Sequence, residues 1–94
     1  MEKRYVVSYR VKTKWYYLCK EHVWFTAEMA PLSIASLICW HGYRTKQGAQ
    51  KAYDRERNSG DDYKNAYELL EFEIDTKNTT MSCKVLASCS FETT

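Results

Sequence analysis

The stretch Thr45-Lys-Gln-Gly-Ala-Gln-Lys-Ala-Tyr-Asp-Arg-Glu-Arg-Asn58 decides the fold class of this 94-residue chain. Thr45 stands where a helix N-cap belongs, and Gly60 lies just past the far end, so the spacing predicts a helix between them. Ala49, Ala52 and Tyr53 fall on one side of that helix, while Gln47, Lys51, Asp54, Arg55 and Asn58 fall on the other. A narrow stripe of small residues suits close packing on a sheet. Lys51 and Arg55 are like charges four apart, a repulsion of about 0.2–0.5 kcal/mol that neighbouring Asp54 and Glu56 partly offset.

The sheet is written on both sides of this helix. Towards the N-terminus, Arg4-Tyr-Val-Val-Ser-Tyr-Arg-Val-Lys12 alternates Tyr5, Val7, Tyr9 and Val11 against Val6, Ser8, Arg10 and Lys12, the period of a strand. Trp15-Tyr-Tyr-Leu-Cys-Lys20 follows after Thr13-Lys14, and the pair reads as an antiparallel hairpin with a weak turn signal. A two-residue turn places Tyr16 and Leu18 with Tyr5, Val7, Tyr9 and Val11, whereas a three-residue loop inverts the faces. A turn is expected near Glu21-His22, and Thr26 is placed to cap a short helical turn that Pro31 ends, because the residue before proline avoids helical geometry. In the apolar stretch from Leu32 to Tyr43, Leu37, Cys39, His41 and Tyr43 alternate with Ile38 and Trp40, which favours a strand from about Leu37 to Arg44.

Towards the C-terminus, Ser59-Gly-Asp-Asp-Tyr-Lys-Asn65 is a polar loop. Tyr67-Glu-Leu-Leu-Glu-Phe-Glu-Ile-Asp75 then sets Leu70, Phe72 and Ile74 inward against Glu71, Glu73 and Asp75. A loop over Thr76–Thr80 and a return strand from about Met81 to Phe91, with Cys83, Val85 and Ala87 in one row, complete a second hairpin. The expected fold is one α+β domain over residues 1–94: an antiparallel sheet of four or five strands in the order β-β-β-α-β-β, with one main helix on one face.

Composition narrows the function classes. The chain is 45% apolar and 28% charged, with eight Tyr, three Trp and three Phe, which excludes a disordered tail, a coiled coil and a two-domain cofactor enzyme. The longest mainly apolar run, Leu32 to Trp40, is far short of the roughly 20 residues of a membrane span. Met1-Glu-Lys-Arg4 carries no apolar block or small-residue cleavage site, so a cytoplasmic setting is expected, with Cys19, Cys39, Cys83 and Cys89 reduced and acting as small core hydrophobes. No C-x-x-C pair is present and the two histidines are scattered, so neither a metal nor another cofactor is expected.

Catalytic constellations are equally sparse. Glu71, Glu73 and Asp75 point the same way from one strand rather than converging across a cleft. Cys39 and His41 share a face of the expected strand but read as core residues before they read as a nucleophile and its base. The chain lacks G-x-G-x-x-G, Walker-type and H-E-x-x-H motifs, which points to binding rather than catalysis. The net charge of +2 conceals a polarity: residues 1–57 carry eleven Lys/Arg against five Asp/Glu, and residues 58–94 carry three against seven. Arg10, Lys12 and Lys14 beside Trp15 and Tyr17 combine phosphate-attracting charge with stacking rings. Arg44, Lys46, Lys51 and Arg55 around the helix extend the candidate partner-binding set.

The runs Trp24-Phe-Thr-Ala-Glu28, Trp40-His-Gly-Tyr-Arg-Thr-Lys-Gln-Gly-Ala-Gln-Lys-Ala52 and Tyr67-Glu-Leu-Leu-Glu-Phe72 resemble a pattern of small phage and mobile-element proteins. Anti-CRISPR proteins are similar in size and build. The resemblance implies a non-enzymatic inhibitor that occupies a surface of a CRISPR effector complex, competing with or mimicking nucleic acid; it carries no individual functional residue across. Tyr43-Arg-Thr-Lys-Gln-Gly-Ala49 also resembles the strand-to-helix junction of integrase arm-type DNA-binding domains, which implies direct nucleic-acid contact. The acidic C-terminal hairpin and the modest net charge depart from that second pattern. The expected partners are therefore a protein or nucleoprotein complex, nucleic acid as the alternative, no membrane, and a second copy of the chain if a sheet face is left uncovered.

Overall fold

The computed structural model describes residues 2–59, 63–78 and 80–90. Five strands form one antiparallel sheet, β1 (Glu2–Val11), β2 (Lys14–Leu18), β3 (Trp24–Thr26), β4 (Ala66–Asp75) and β5 (Thr80–Ser90), in the spatial order β3-β2-β1-β4-β5. Two helices, α1 (Pro31–His41) and α2 (Lys46–Asn58), lie between β3 and β4 in the chain. The α+β class and the antiparallel sheet are as the sequence implies. The third strand and the number of helices are not.

The first hairpin turns at Lys12 and Thr13, pairing Val11 with Lys14, Tyr9 with Tyr16 and Val7 with Leu18. Lys12 takes left-handed φ of 59°, the conformation a tight hairpin turn demands even without glycine. Tyr16 and Leu18 thus join Val7 and Tyr9 on one face, and Trp15 and Tyr17 stand beside Arg10 and Ser8 on the other.

The stretch expected as a strand over Leu37–Arg44 is the last part of α1 and the crossover after it. Pro31 opens this helix instead of ending one: it occupies the first turn, where its missing N–H costs nothing and its fixed φ is already helical. The alternation of Leu37, Cys39, His41 and Tyr43 is incidental to a helix that is apolar almost all round. On α1, Cys39 and His41 are two residues apart and so point in widely different directions, which removes the paired arrangement a strand would have given them. Gly42 terminates α1 by donating its N–H to Ile38 O at 2.8 Å. A Cβ here would sit 2.5 Å from the Ile38 carbonyl and 3.1 Å from Arg4 Cβ, so only glycine fits this exit. Arg4 Nε donates to Cys39 O at 3.3 Å, placing a cation at the C-terminal end of α1.

The chain then passes from one side of the sheet to the other. Tyr43 exchanges two backbone hydrogen bonds with Tyr5, each 2.8 Å, filling the ladder positions on β1 that β2 is too short to reach. Beyond this crossing Thr45 caps α2, its Oγ accepting from Gly48 N at 3.1 Å. Ala49, Ala52 and Tyr53 are buried as the apolar stripe requires.

Both faces of the central strands are consequently covered. On the α1 side Val6, Leu70, Phe72 and Ile74 pack with Ile34 and Ile38, joined by Cys19 and Phe25. On the α2 side Val7, Tyr9, Tyr67 and Leu69 pack with Ala49, Ala52 and Tyr53. Val6 and Val7, adjacent in sequence, are each fully buried, one in each core. A β-bulge shifts the β4–β5 register between Leu69 and Leu70, so Leu70 faces Val85 while Leu69 faces Ala87. Cys83 and Val85 therefore lie in one row, but Ala87 moves with Leu86 to the α2 side instead of continuing it. Asp75 closes the β4–β5 turn, accepting from the backbone N–H groups of Lys77 and Asn78 and the Asn78 side chain. The predicted ends at Gly60 and Phe91 lie outside the described residues.

Cysteine burial is uneven. Cys19 is buried in the α1-side core, and that burial pushes its thiol up to about 12. Cys39 and Cys89 are half-buried and Cys83 is exposed, so the reading of all four as core hydrophobes holds fully only for Cys19. No described helix is long and apolar enough to cross a membrane.

Candidate interaction surface

The residues expected to bind a partner do not share one surface. Arg10 and Trp15 are cross-strand neighbours on the α1 side, with the Arg10 guanidinium carbon 5.8 Å from the centre of the Trp15 ring. Glu68 lies near them; burial raises its carboxyl and Arg10 lowers it. Tyr17 is on that same face but is held in the core, edge-on to Phe25 at 5.5 Å and to Phe72 at 5.7 Å. Lys12 lies in the exposed hairpin turn and Lys14 directly after it. Arg44 and Lys46 stand at the start of α2, beside the Tyr5–Tyr43 crossing. A 13-residue helix is about 20 Å long, which separates them from the hairpin turn at its other end. Lys51 and Arg55 are exposed on α2, on the opposite side of the sheet from Trp15.

The acidic row is also less free than its sequence suggests. Lys3 Nζ lies 3.4 Å from Glu71 and 3.5 Å from Glu73, and these two carboxylates raise the Lys3 ammonium.

A different constellation is assembled where β2 and β3 extend beyond α2. The helix covers β1 and β4 on its side but leaves the same face of β2 and β3 uncovered, and a cavity of about 490 Å³ opens there. Its floor is aromatic: the Tyr9 and Tyr16 rings stack at 5.4 Å with 16° between their planes. Trp24 stands edge-on to Tyr16 at 5.8 Å and is 60% exposed. Across the cavity the segment after α2 brings in Tyr63, also 60% exposed, and Lys64. His22, which with Glu21 takes left-handed φ in the tight turn before β3, completes the rim.

Lys64 is the residue sequence reading missed. It lies within the polar loop, yet it is buried, its ammonium 3.2 Å from Glu56 Oε2, 4.6 Å from the Tyr9 ring centre and 5.4 Å from that of Tyr63. The Glu56 partner and the two ring faces compensate the lost hydration. The signal was a lysine between an aromatic and the start of an apolar strand, eight residues after a glutamate on the helix; nothing in the one-dimensional pattern joins them. Burial raises the Tyr9 hydroxyl, which the Lys64 charge partly counters.

A second cleft, about 420 Å³, lies between the outer face of α1 and the β4–β5 hairpin, lined by Leu32, Cys39, Trp40 and Met81 among others. Leu32 and Trp40 are 70% and 78% exposed. Among the described residues no three His, Cys, Asp or Glu side chains converge as metal ligands would. Comparison with protein-family models, curated proteins and solved structures finds no match.

Proposed function

We propose that the protein is a non-catalytic binding protein that inhibits a host-defence effector complex of the CRISPR type by occupying part of its surface. The observation that carries the binding reading is the uncovered β2–β3 face, where Trp24 and Tyr63 are both 60% exposed over an aromatic cavity, whereas α2 packs on the same side of β1 and β4. Large rings held out at the edge of a concave site are what recognition surfaces use for contact area at low entropic cost. Lys12, Lys14 and Lys20 belong to the strand ends and turn of the same edge and supply positive charge for a partner that holds nucleic acid. The choice of a CRISPR complex rests on the resemblance to anti-CRISPR proteins.

Duplex reading by a sheet, as in integrase arm-type domains, needs a broad free face, and β1 and β4 are packed on both sides. The test is affinity capture by the tagged protein from cells carrying a CRISPR effector, with and without nuclease. The expected result is recovery of the stoichiometric effector complex after nuclease treatment, lost on Lys12→Glu with Lys14→Glu. Recovery of nuclease-sensitive, heterogeneous material alone would contradict it.

A further inference from the structure

We infer that the cavity between Trp24 and Tyr63 is a slot for an unstacked nucleobase of a single nucleic-acid strand. This deepens the binding reading by naming the chemistry the site would take. Three features select that ligand. The lining is largely aromatic: Tyr9 and Tyr16 form the stacked floor, and Trp24 and Tyr63 stand 60% exposed at the mouth. A planar group entering from solvent would meet the exposed Trp24 and Tyr63 rings, and ring stacking tolerates any base, as in single-strand binding sites built on aromatic platforms.

Charge decides between planar ligands. An aromatic pocket also suits organic cations, but here the Lys64 ammonium already lies over the Tyr9 ring and near Tyr63, so a second cation meets an occupied, like-charged site. Glu56 pairs that ammonium from the helix side. Among the described residues, Glu21 stands with His22 in the turn before β3, and the cations nearby are Lys20 in that turn and Lys12 and Lys14 at the end of the β1–β2 hairpin. Phosphates on either side of an inserted base would pass these side chains.

Shape decides between single and double strands. The slot is concave and bounded by β3 on one side and the Tyr63–Lys64 segment on the other. A base inside a duplex is stacked and cannot enter without being flipped out, whereas a single strand offers bases already splayed.

The test is fluorescence anisotropy of labelled ten-nucleotide strands, one of RNA and one of DNA, and of a blunt DNA duplex, titrated with the purified full chain. At least one single strand is expected to bind, with the duplex at least tenfold weaker; whichever strand binds more tightly names the sugar. Trp24→Ala weakens single-strand binding at least tenfold and Trp24→Phe restores it to within about threefold, since a ring is what the slot uses. Trp40→Ala, on the outer face of α1, leaves it unchanged. Absence of binding by both single strands, equal binding of the duplex, or a Trp24→Ala variant that binds like the parent would overturn the inference. Capture of an effector complex is read separately. If capture persists while both oligonucleotides fail, this slot falls and the inhibitor reading stands; if oligonucleotides bind as described and no complex is captured, the reverse holds.

Discussion

The centre of the sheet and its β2–β3 edge are built on opposite principles. Strands β1 and β4 are covered by α1 on one side and α2 on the other, so that neighbouring residues such as Val6 and Val7 are both buried. At the edge the α1 side is closed over Tyr17 and Phe25, but the other face leaves Tyr16 and Trp24 beside an open cavity. On the proposed reading, stability resides in the first region and recognition in the second. A small domain has a thin core, and at this edge Tyr16, Trp24 and Tyr63 are left partly solvated.

The comparison breaks most readily in the centre. Ile38, fully buried on the inner side of α1, is the largest case: Ile38→Ala should cost about 2–5 kcal/mol of stability, read as a shift in the denaturant midpoint. A loss below about 1 kcal/mol would mean that α1 is not packed as a core element. Alkaline unfolding sharpens the same contrast. Burial holds the Cys19 thiol up near 12 in the folded chain, so the neutral thiol is favoured by folding; this contribution is whole below about pH 9 and is lost as pH rises from there towards 12. The hydroxyls of Tyr9, Tyr17 and Tyr53 are raised by burial too and act in the same direction. Thermal melts should fall steeply over that range, and Cys19→Ala should make the fall shallower; an unchanged slope would show that Cys19 is not the titrating group. The smallest effect is expected at the edge: Trp24→Ala should change stability by no more than about 0.5 kcal/mol, because its side chain is already largely hydrated. A larger loss would make Trp24 a core residue and weaken its role in recognition.

The two helices explain which parts of the fold were legible. For α2, a polar face, an alanine stripe and a capping threonine all agree, and the structure repeats each of them. The sequence of α1 contains no charge between Pro31 and Trp40, so no polar face marks its period, and its inner and outer residues are equally apolar. Pro31 then read as a stop because its role depends on whether the helix lies before or after it. Strand faces were read correctly up to the bulge at Leu69 and Leu70, which slips one residue of β5 and moves Ala87 to the other core.

The candidate site was less visible than the fold. Lys12, Lys14 and the general idea of an aromatic, basic edge came from the first hairpin, but Tyr17 faces the core and Trp15 the opposite side. Trp24 comes from one segment and Tyr63 with Lys64 from another, the two meet only after the chain has passed through α2, and the Glu56–Lys64 pair that orders the lysine is tertiary. No periodicity encodes such a meeting.

Hydrogen exchange on the free protein and on the protein bound to the effector complex that the proposed function predicts it captures tests this division of labour most directly. Binding should slow exchange of Lys14–Thr26 and Tyr63–Asn65 while leaving the outer face of α1 and the β5 edge at their free rates. Protection confined to α1 or β5, with the β2–β3 edge unchanged, would contradict the account and move the recognition surface to the cleft beside Trp40.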